Sequence, residues 1–273
     1  MKKIPLALQL YSVREKCEKD FEGTLKAVKE IGYDGVELAG FNGWDPGDLN
    51  ALCRDLGLII YSAHVGRKEL LKDLSGAAAL YEALGCNFIA FPWSDRKTEL
   101  PGASGYEAFK EDTKKIAEAL KKHGIRLLYH NHDFEMELLE GKTLLDIMLR
   151  DLPEIGSELD LCWARVGGKE PSAYLLELKG RVPVVHFKDY TGKTGGNMYN
   201  LIGQEPAVGE KPEGFHFTAL GEGVQNIGEL VKASLEAGAE IFVVEQDEPA
   251  PGKDSLDEAA KSFETLKLEC EKC

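Results

Sequence analysis

Leu127-Leu128-Tyr129-His130-Asn131-His132 is an apolar run that ends on two imidazoles spaced i, i+2, and three other stretches repeat its design. Glu158 and Asp160 close Ile155-Gly-Ser-Glu158-Leu-Asp160. His186 and Lys188 close Val182-Pro-Val-Val-His186-Phe-Lys188, and Glu245 and Asp247 close Ile241-Phe-Val-Val-Glu245-Gln-Asp247. Side chains at i and i+2 of a strand share a face, so each run delivers its pair to one side. Runs this apolar read as strands buried on both faces, where an unpaired His, Asp or Glu costs on the order of several kcal/mol unless it meets a metal, a partner or a substrate. Repetition of that cost at strand ends points to one shared site, assembled from several parallel strands and rich in oxygen and imidazole ligands.

Outward from these runs, short apolar segments alternate with amphipathic ones along the whole chain. The pattern predicts strands near 6–11, 35–39, 58–65, 87–93, 126–132, 156–163, 182–190 and 240–246. Between them it predicts helices at Asp20–Ile31, Asp48–Leu56, Glu69–Leu84, Tyr106–Lys122, Leu144–Asp151, Pro171–Leu178, Ile227–Ala237 and Leu256–Cys270. Gly32, Gly57, Gly85, Gly124 and Gly238 stand where helices must stop, because glycine accepts the left-handed turn that closes them. Eight strands alternating with eight helices fit a single (β/α)8 barrel domain spanning 1–273. An open doubly wound sheet is the alternative, but it concentrates its site at one switch point, whereas polar strand ends recur here along the chain. After the first strand, Gln9-Leu-Tyr-Ser-Val-Arg14 carries no glycine-rich phosphate motif. The glycine-rich connection Thr191–Gly223 is much longer than the usual roughly 2–6 residues and is predicted to lie over the strand C-termini as a lid, with Tyr199, Phe215 and Phe217 to pack it.

Composition narrows the function. A net charge of −14 repels phosphate backbones, so nucleic acid is not an expected partner. No apolar run approaches the roughly 20 residues of a membrane helix, and Met1-Lys-Lys-Ile-Pro5 leads directly into a strand-like segment without a signal-peptide core. A cytoplasmic protein is expected, its scattered cysteines acting as small hydrophobes and Cys270-x-x-Cys273 as a helix tail. Oligomeric state, homo-oligomer included, is left open.

In such barrels the chemistry projects from the C-terminal ends of the strands. His130, Asp160, His186 and Glu245 form a candidate set for one divalent ion, Mn²⁺, Zn²⁺, Co²⁺ or Mg²⁺, with open positions for substrate oxygens. Each of these residues alone is as compatible with a structural role; four aligned strand ends favour the shared site. Glu245, His132, Glu158 and Lys188 are candidate acids and bases, and Glu37, His64, Trp93 and Glu135 candidate substrate contacts. Lys188 is equally readable as an ion-pair partner of Asp160 or Glu158. Trp44, Trp163 and Phe41 suit either sugar stacking or core packing. The strand-eight loop, Gln246 to Asp254, holds three acidic residues against Lys253 alone, a poor setting for phosphate.

Together Gln9-Leu-Tyr-Ser-Val-Arg14, Gly32-Tyr-Asp-Gly-Val-Glu37-Leu, Ser62-Ala-His64-Val, Tyr129-His-Asn-His-Asp-Phe-Glu135, Glu158-Leu-Asp160, His186-Phe-Lys188-Asp189 and Val244-Glu245-Gln-Asp247 resemble the sugar phosphate isomerase/epimerase superfamily of xylose-isomerase-like barrels. That superfamily also holds ketose 3-epimerases, inosose dehydratases and apurinic endonucleases. The resemblance implies a metal set of Glu, Asp, His and Glu from strands five to eight, and a keto sugar or polyol handled through an enediolate. At strand five the chain departs from it, reading His130-Asn131-His132 where many epimerases carry Glu-Asn-His, and in this it resembles the inosose dehydratase branch. The strand-five ligand is then His130 or Glu135, and of the epimerases' opposed glutamate pair only Glu245 has a match. A metal-dependent isomerase or epimerase is the implied activity, with a dehydratase next. An endonuclease would need a basic groove, and a non-catalytic sugar-binding barrel remains a further alternative.

Overall fold

The computed structural model describes residues 3–195, 198 and 212–273. Eight parallel strands close into a barrel: β1 (Leu6–Gln9), β2 (Gly35–Leu38), β3 (Ile59–His64), β4 (Phe88–Phe91), β5 (Arg126–His130), β6 (Gly156–Asp160), β7 (Val184–Phe187) and β8 (Ile241–Val244). They are hydrogen-bonded in chain order, and β8 pairs back to β1. The open-sheet alternative is thereby excluded.

Alternation along each strand divides the core in two. Outward residues such as Leu8, Val36, Leu127, Leu159, Val185 and Phe242 join the layer beneath the helices. Inward residues near the strand starts, Ala7, Phe88, Leu128, Val184, Ile241 and Val243, form an apolar plug inside the barrel. Two residues further along the same faces the inward positions become Gln9, His130, His186 and Glu245, so the plug gives way to a polar layer at the C-terminal mouth. The helices pack as their spacing demands: Tyr106–Lys122 buries Tyr106, Phe109, Thr113, Ile116, Ala117 and Leu120, one stripe of its surface. All five predicted stop glycines have positive φ; at Gly57 (φ +68°) and Gly238 (φ +93°) the residue is the left-handed cap itself.

All eight strands are shorter than the apolar pattern suggested, the seventh ending at Phe187 rather than at 190, and for two strands and one helix the local reason is visible. The first strand ends at Gln9, whose side chain accepts from the Tyr11 N–H and turns Leu10–Val13 into a 3₁₀ helix. The sixth ends at Asp160 rather than at 163, because the Asp160 carboxylate caps a new helix, Leu161–Val166, by accepting from the Trp163 N–H at 2.7 Å. The expected helix Glu69–Leu84 is two, Arg67–Leu70 and Leu74–Ala83, the second begun by Asp73 capping Gly76. The predicted lid falls in its central part, 196–197 and 199–211 with Tyr199, outside the described residues. Its stem is a short antiparallel pair, Asp189–Thr191 with His216–Thr218, and Phe217 is buried beside Trp163 and Tyr190.

Candidate active site

Register levels the strand ends. Gln9 lies beside Glu37, Glu37 beside Ser62, His130 beside Glu158 and Asp160 beside His186. Inside this ring the ionisable side chains form two layers. In the inner layer three imidazole nitrogens surround one carboxylate oxygen, Glu158 Oε1: His64 Nε2 at 2.6 Å, His130 Nδ1 at 3.2 Å and His186 Nε2 at 3.2 Å. Glu37 Oε1 faces the same place, 3.1 Å from His64 Nε2 and 2.9 Å from His186 Nε2. Gln9 Nε2 donates to Glu37 at 2.6 Å and the Ser62 hydroxyl donates to its other oxygen, fixing the carboxylate.

The outer layer is organised by Lys188. Its buried ammonium lies 3.0 Å from Asp160 Oδ2, 2.9 Å from Glu245 Oε2 and 3.0 Å from Asp247 Oδ1. Glu245 also accepts from His186 Nδ1 at 3.0 Å, so this ring joins the two layers. Asn131 ties the strand ends together, its Oδ1 accepting from the Asp160 N–H and its amide donating back to the Asp160 carbonyl.

Electrostatics sort the groups. Burial works against charge on His64, but Glu37 and Glu158 outweigh it and raise its pKa to about 10. His186 is raised in the same way, against burial, by Glu158 and Glu37. Burial, with its imidazole neighbours, lowers His130; burial, His130 and Lys188 hold His132 well below the ordinary histidine value. Both of these rings are therefore neutral bases at pH 7. Lys188 stays charged despite burial because Asp160, Asp247 and Glu245 surround it. Burial opposes ionisation of Glu158 and Glu245 too, but the imidazoles hold Glu158 low, and Lys188 with His186 holds Glu245 low. Asp247 is pushed up to about 6 by burial and by Glu245 and Asp160, against the pull of Lys188.

Above these layers a cavity of 260 Å³ opens, lined by Tyr11, Ala39, His64, Pro92, Trp93, His130, His132, Glu245 and Asp247. It lies just below the roughly 300–1,000 Å³ range of ligand pockets. A larger depression of 730 Å³ lies at the opposite end of the barrel, where the charged groups satisfy one another: Lys3 with Asp34 at 3.2 Å and Arg126 with Glu240 at 2.6 Å.

The predicted residues thus divide. His130, Asp160, His186 and Glu245 each offer a ligand atom, all within 4.8 Å of one another, and so do His64, His130, Glu158 and His186. His64, Trp93, His132 and Glu245 line the cavity, whereas Glu37, Glu158 and Lys188 lie beneath it. Glu135 is elsewhere. It accepts from the Tyr129 hydroxyl, on the outward face of β5, and from the His132 N–H, so it anchors the loop rather than facing substrate or metal. Trp44 and Phe41 pack on Phe21 and Tyr81, as core. Gln9, Ser62, Tyr11 and Asn131 were not foreseen. Gln9 and Ser62 were legible only as strand-end polar residues on the same face as their neighbours.

Fit to a divalent cation can be tested on these groups. Five buried carboxylates, Glu37, Glu158, Asp160, Glu245 and Asp247, face one ammonium and the raised imidazoles of His64 and His186, and among the described residues His186 Nε2, Glu158 Oε2 and Asp160 Oδ2 have no hydrogen-bond partner. Buried negative charge in excess, with lone pairs converging on one place, suits a metal.

Fold and site together define a (β/α)8 barrel with a metal-capable His/Glu/Asp centre at its C-terminal mouth. The chain belongs to the xylose isomerase-like TIM barrel family, whose profile matches residues 25–267. Among solved structures, a sugar phosphate isomerase/epimerase from Parabacteroides distasonis ATCC 8503 superposes with a TM-score of 0.78 at 19% identity, covering 99% of this chain and 95% of its own. L-ribulose 3-epimerase gives 0.70 at 14% identity, with 98% and 95% covered. The probable 3-DHS dehydratase AsbF from Bacillus anthracis gives 0.71 at 16%, with 97% and 99% covered. No curated protein matches the chain. Among the described residues no helix is long and apolar enough to cross a membrane.

Proposed function

We propose that this protein is a divalent-metal-dependent enzyme that isomerises or epimerises an unphosphorylated keto sugar or related polyol by moving a proton at a carbon next to the carbonyl. The observation that carries the reading is a cavity walled by the neutral imidazoles of His130 and His132 and by the carboxylates of Glu245 and Asp247, directly above a metal-capable cluster. A bound ion supplies Lewis-acid polarisation of the substrate carbonyl and its neighbouring hydroxyl.

The chain's own groups do the rest. His132, whose imidazole is neutral and whose backbone N–H is held by Glu135, takes the proton from carbon. Glu245, held ionised by Lys188 and His186, faces it across the mouth from β8 and handles the second proton. Tyr11 and Trp93 give the sugar ring a hydrophobic wall. Among the described residues no lysine or arginine lines the cavity, and Glu245 and Asp247 do, which supports a neutral substrate over a phosphorylated one. The 191–223 connection is read as the lid, its stem anchored by Phe217, which is buried with Cys162, Trp163 and Tyr190. Free thiols at all six cysteines support a reducing, cytoplasmic setting.

Dehydration of the same substrate class is the second reading. It is favoured by the imidazole pair at the end of β5, His130 and His132, whose ring centres are 5.2 Å apart and can serve as base and acid on one face. The test is incubation of the metal-loaded protein in D₂O with ketopentoses, ketohexoses, inososes and their phosphate esters. Deuterium entering at the carbon beside the carbonyl of a neutral sugar is expected; loss of water as well would assign the dehydratase. No exchange into any member of the panel would contradict the reading.

A further inference from the structure

Trp163 is fully buried, yet it belongs to neither of the two core layers of the barrel. It sits in a third apolar cluster, with Cys162, Tyr190, Met198 and Phe217, which joins the short helix after β6 to the stem of the 191–223 connection. The cavity wall does not include it, so the ring stacks on no sugar there. What it touches instead are the polar groups of the mouth.

Asp160 fixes the main chain of Trp163. Its Oδ1 accepts the Trp163 N–H at 2.7 Å, while its Oδ2 lies 3.0 Å from Lys188 Nζ. That ammonium in turn stands 5.6 Å from the centre of the Trp163 ring and 5.6 Å from that of Phe217. Besides its three carboxylates, Lys188 therefore has two aromatic faces that attract a cation and keep water from it. The His132 imidazole lies 5.7 Å from the Trp163 ring centre, tilted by 56°, and stacks on Phe134 at 5.7 Å and 8°. Phe217 supports Trp163 edge-on, 5.7 Å away at 73°. An imidazole packed against two aromatic rings is held in one rotamer; with one ring removed it gains room to turn. Proton transfer is sensitive to such a change, because misplacing a reacting group by about 1 Å costs about 10²-fold in rate.

We propose that Trp163 is a positioning residue for proton transfer: its ring holds the His132 imidazole against Phe134 and covers the Lys188 ammonium that keeps Glu245 and Asp247 in place, and Phe217 of the stem buttresses it. The inference rests on the assignment of His132 and Glu245 to proton transfer above. Trp163 touches no substrate and acts only through these two neighbours. Its indole N–H has no hydrogen-bond partner among the described residues, so Trp163→Phe shortens the ring system without breaking a hydrogen bond, whereas Trp163→Leu removes the aromatic face.

Two readouts separate this role from packing alone. The first is the kinetics of deuterium exchange into the neutral sugar that the wild type accepts from the panel above. Trp163→Leu is expected to lower kcat by about 10–100-fold with KM changed less than about threefold, and Trp163→Phe to recover most of the loss. The second needs no substrate: nuclear magnetic resonance of the histidine rings in ¹⁵N-histidine-labelled protein, with the His132 signals assigned by their loss in His132→Asn. One sharp His132 set is expected in the wild type and in Trp163→Phe, and a broadened or split set in Trp163→Leu. Should Trp163→Leu fail to fold, Phe217→Leu takes its place, with a smaller loss of kcat expected and the same contrary outcomes. A folded variant with unchanged kcat, or with KM raised alone, or with His132 signals as sharp as in the wild type, would overturn the positioning role. A wild type that exchanges deuterium into no sugar would contradict the functional reading instead, and the His132 signals would then decide by themselves whether Trp163 holds the ring.

Discussion

Lys188→Met removes the ammonium and keeps most of the side-chain volume, leaving Asp160, Glu245 and Asp247 facing one another in a buried space. Deleting one partner of a buried ion pair costs about 3–5 kcal/mol, and with three carboxylates stranded the upper end applies. For a chain of this size that is about 2–4 °C per kcal/mol, a fall in Tm of about 10–20 °C. Thermal melts with a chelator present, near pH 8, measure it. The loss should shrink near pH 5.5, since Asp247, already raised to about 6, then takes a proton and removes one stranded charge. Zn²⁺ should restore part of the stability, because the space between the three carboxylates then accepts a cation. A variant melting within about 2 °C of the wild type near pH 8 would refute the view that Lys188 is the outer cation.

Glu135 is raised to about 8 by burial, against the hydrogen bonds it accepts, so the native state keeps a proton that the unfolded chain releases near its ordinary value of 4.5. Its contribution is fully present below that ordinary value and is lost as pH rises through about 8; Glu135→Gln, always neutral, should flatten the denaturation midpoint across that window, and an unchanged slope would exclude the group. Asp189 accepts from the N–H groups of Tyr190, Gly221, Gly223 and Gln225, so Asp189→Ala should lower stability by about 1–3 kcal/mol for each group left dry and raise KM by loosening the lid stem; an unaltered KM in the folded variant would count against the lid. His132→Asn and Glu245→Gln should each slow deuterium exchange into substrate by about 10²–10⁴-fold, and normal exchange in either would remove that residue from proton transfer.

The barrel was legible because its signals are local. An apolar run, a polar pair and a stop glycine fit within one strand–helix unit, and the Tyr106–Lys122, Leu144–Asp151 and Ile227–Ala237 helices fall at their expected residues. Asp160 shows where that reading fails: Leu161-Cys162-Trp163 continues the apolar pattern, yet a capping carboxylate starts a helix there, because a cap outweighs hydrophobicity at a strand end. Glu135 was misread for a related reason. It is close in sequence to His132, but the turn at Phe134–Met136 carries it to the outward side of β5. The convergence of polar strand ends was visible; which lone pair faces which neighbour was not, since it depends on ring orientation and on Gln9, Ser62 and Lys188, contacts between strands distant in sequence.

Anomalous diffraction at the zinc edge from crystals soaked in Zn²⁺ would locate the ion directly. The account predicts a peak at the barrel mouth, about 2.0–2.3 Å from ligand atoms of the clustered residues His130, His186, Asp160 and Glu245 or His64 and Glu158. Crystals with no peak at that cluster would contradict it.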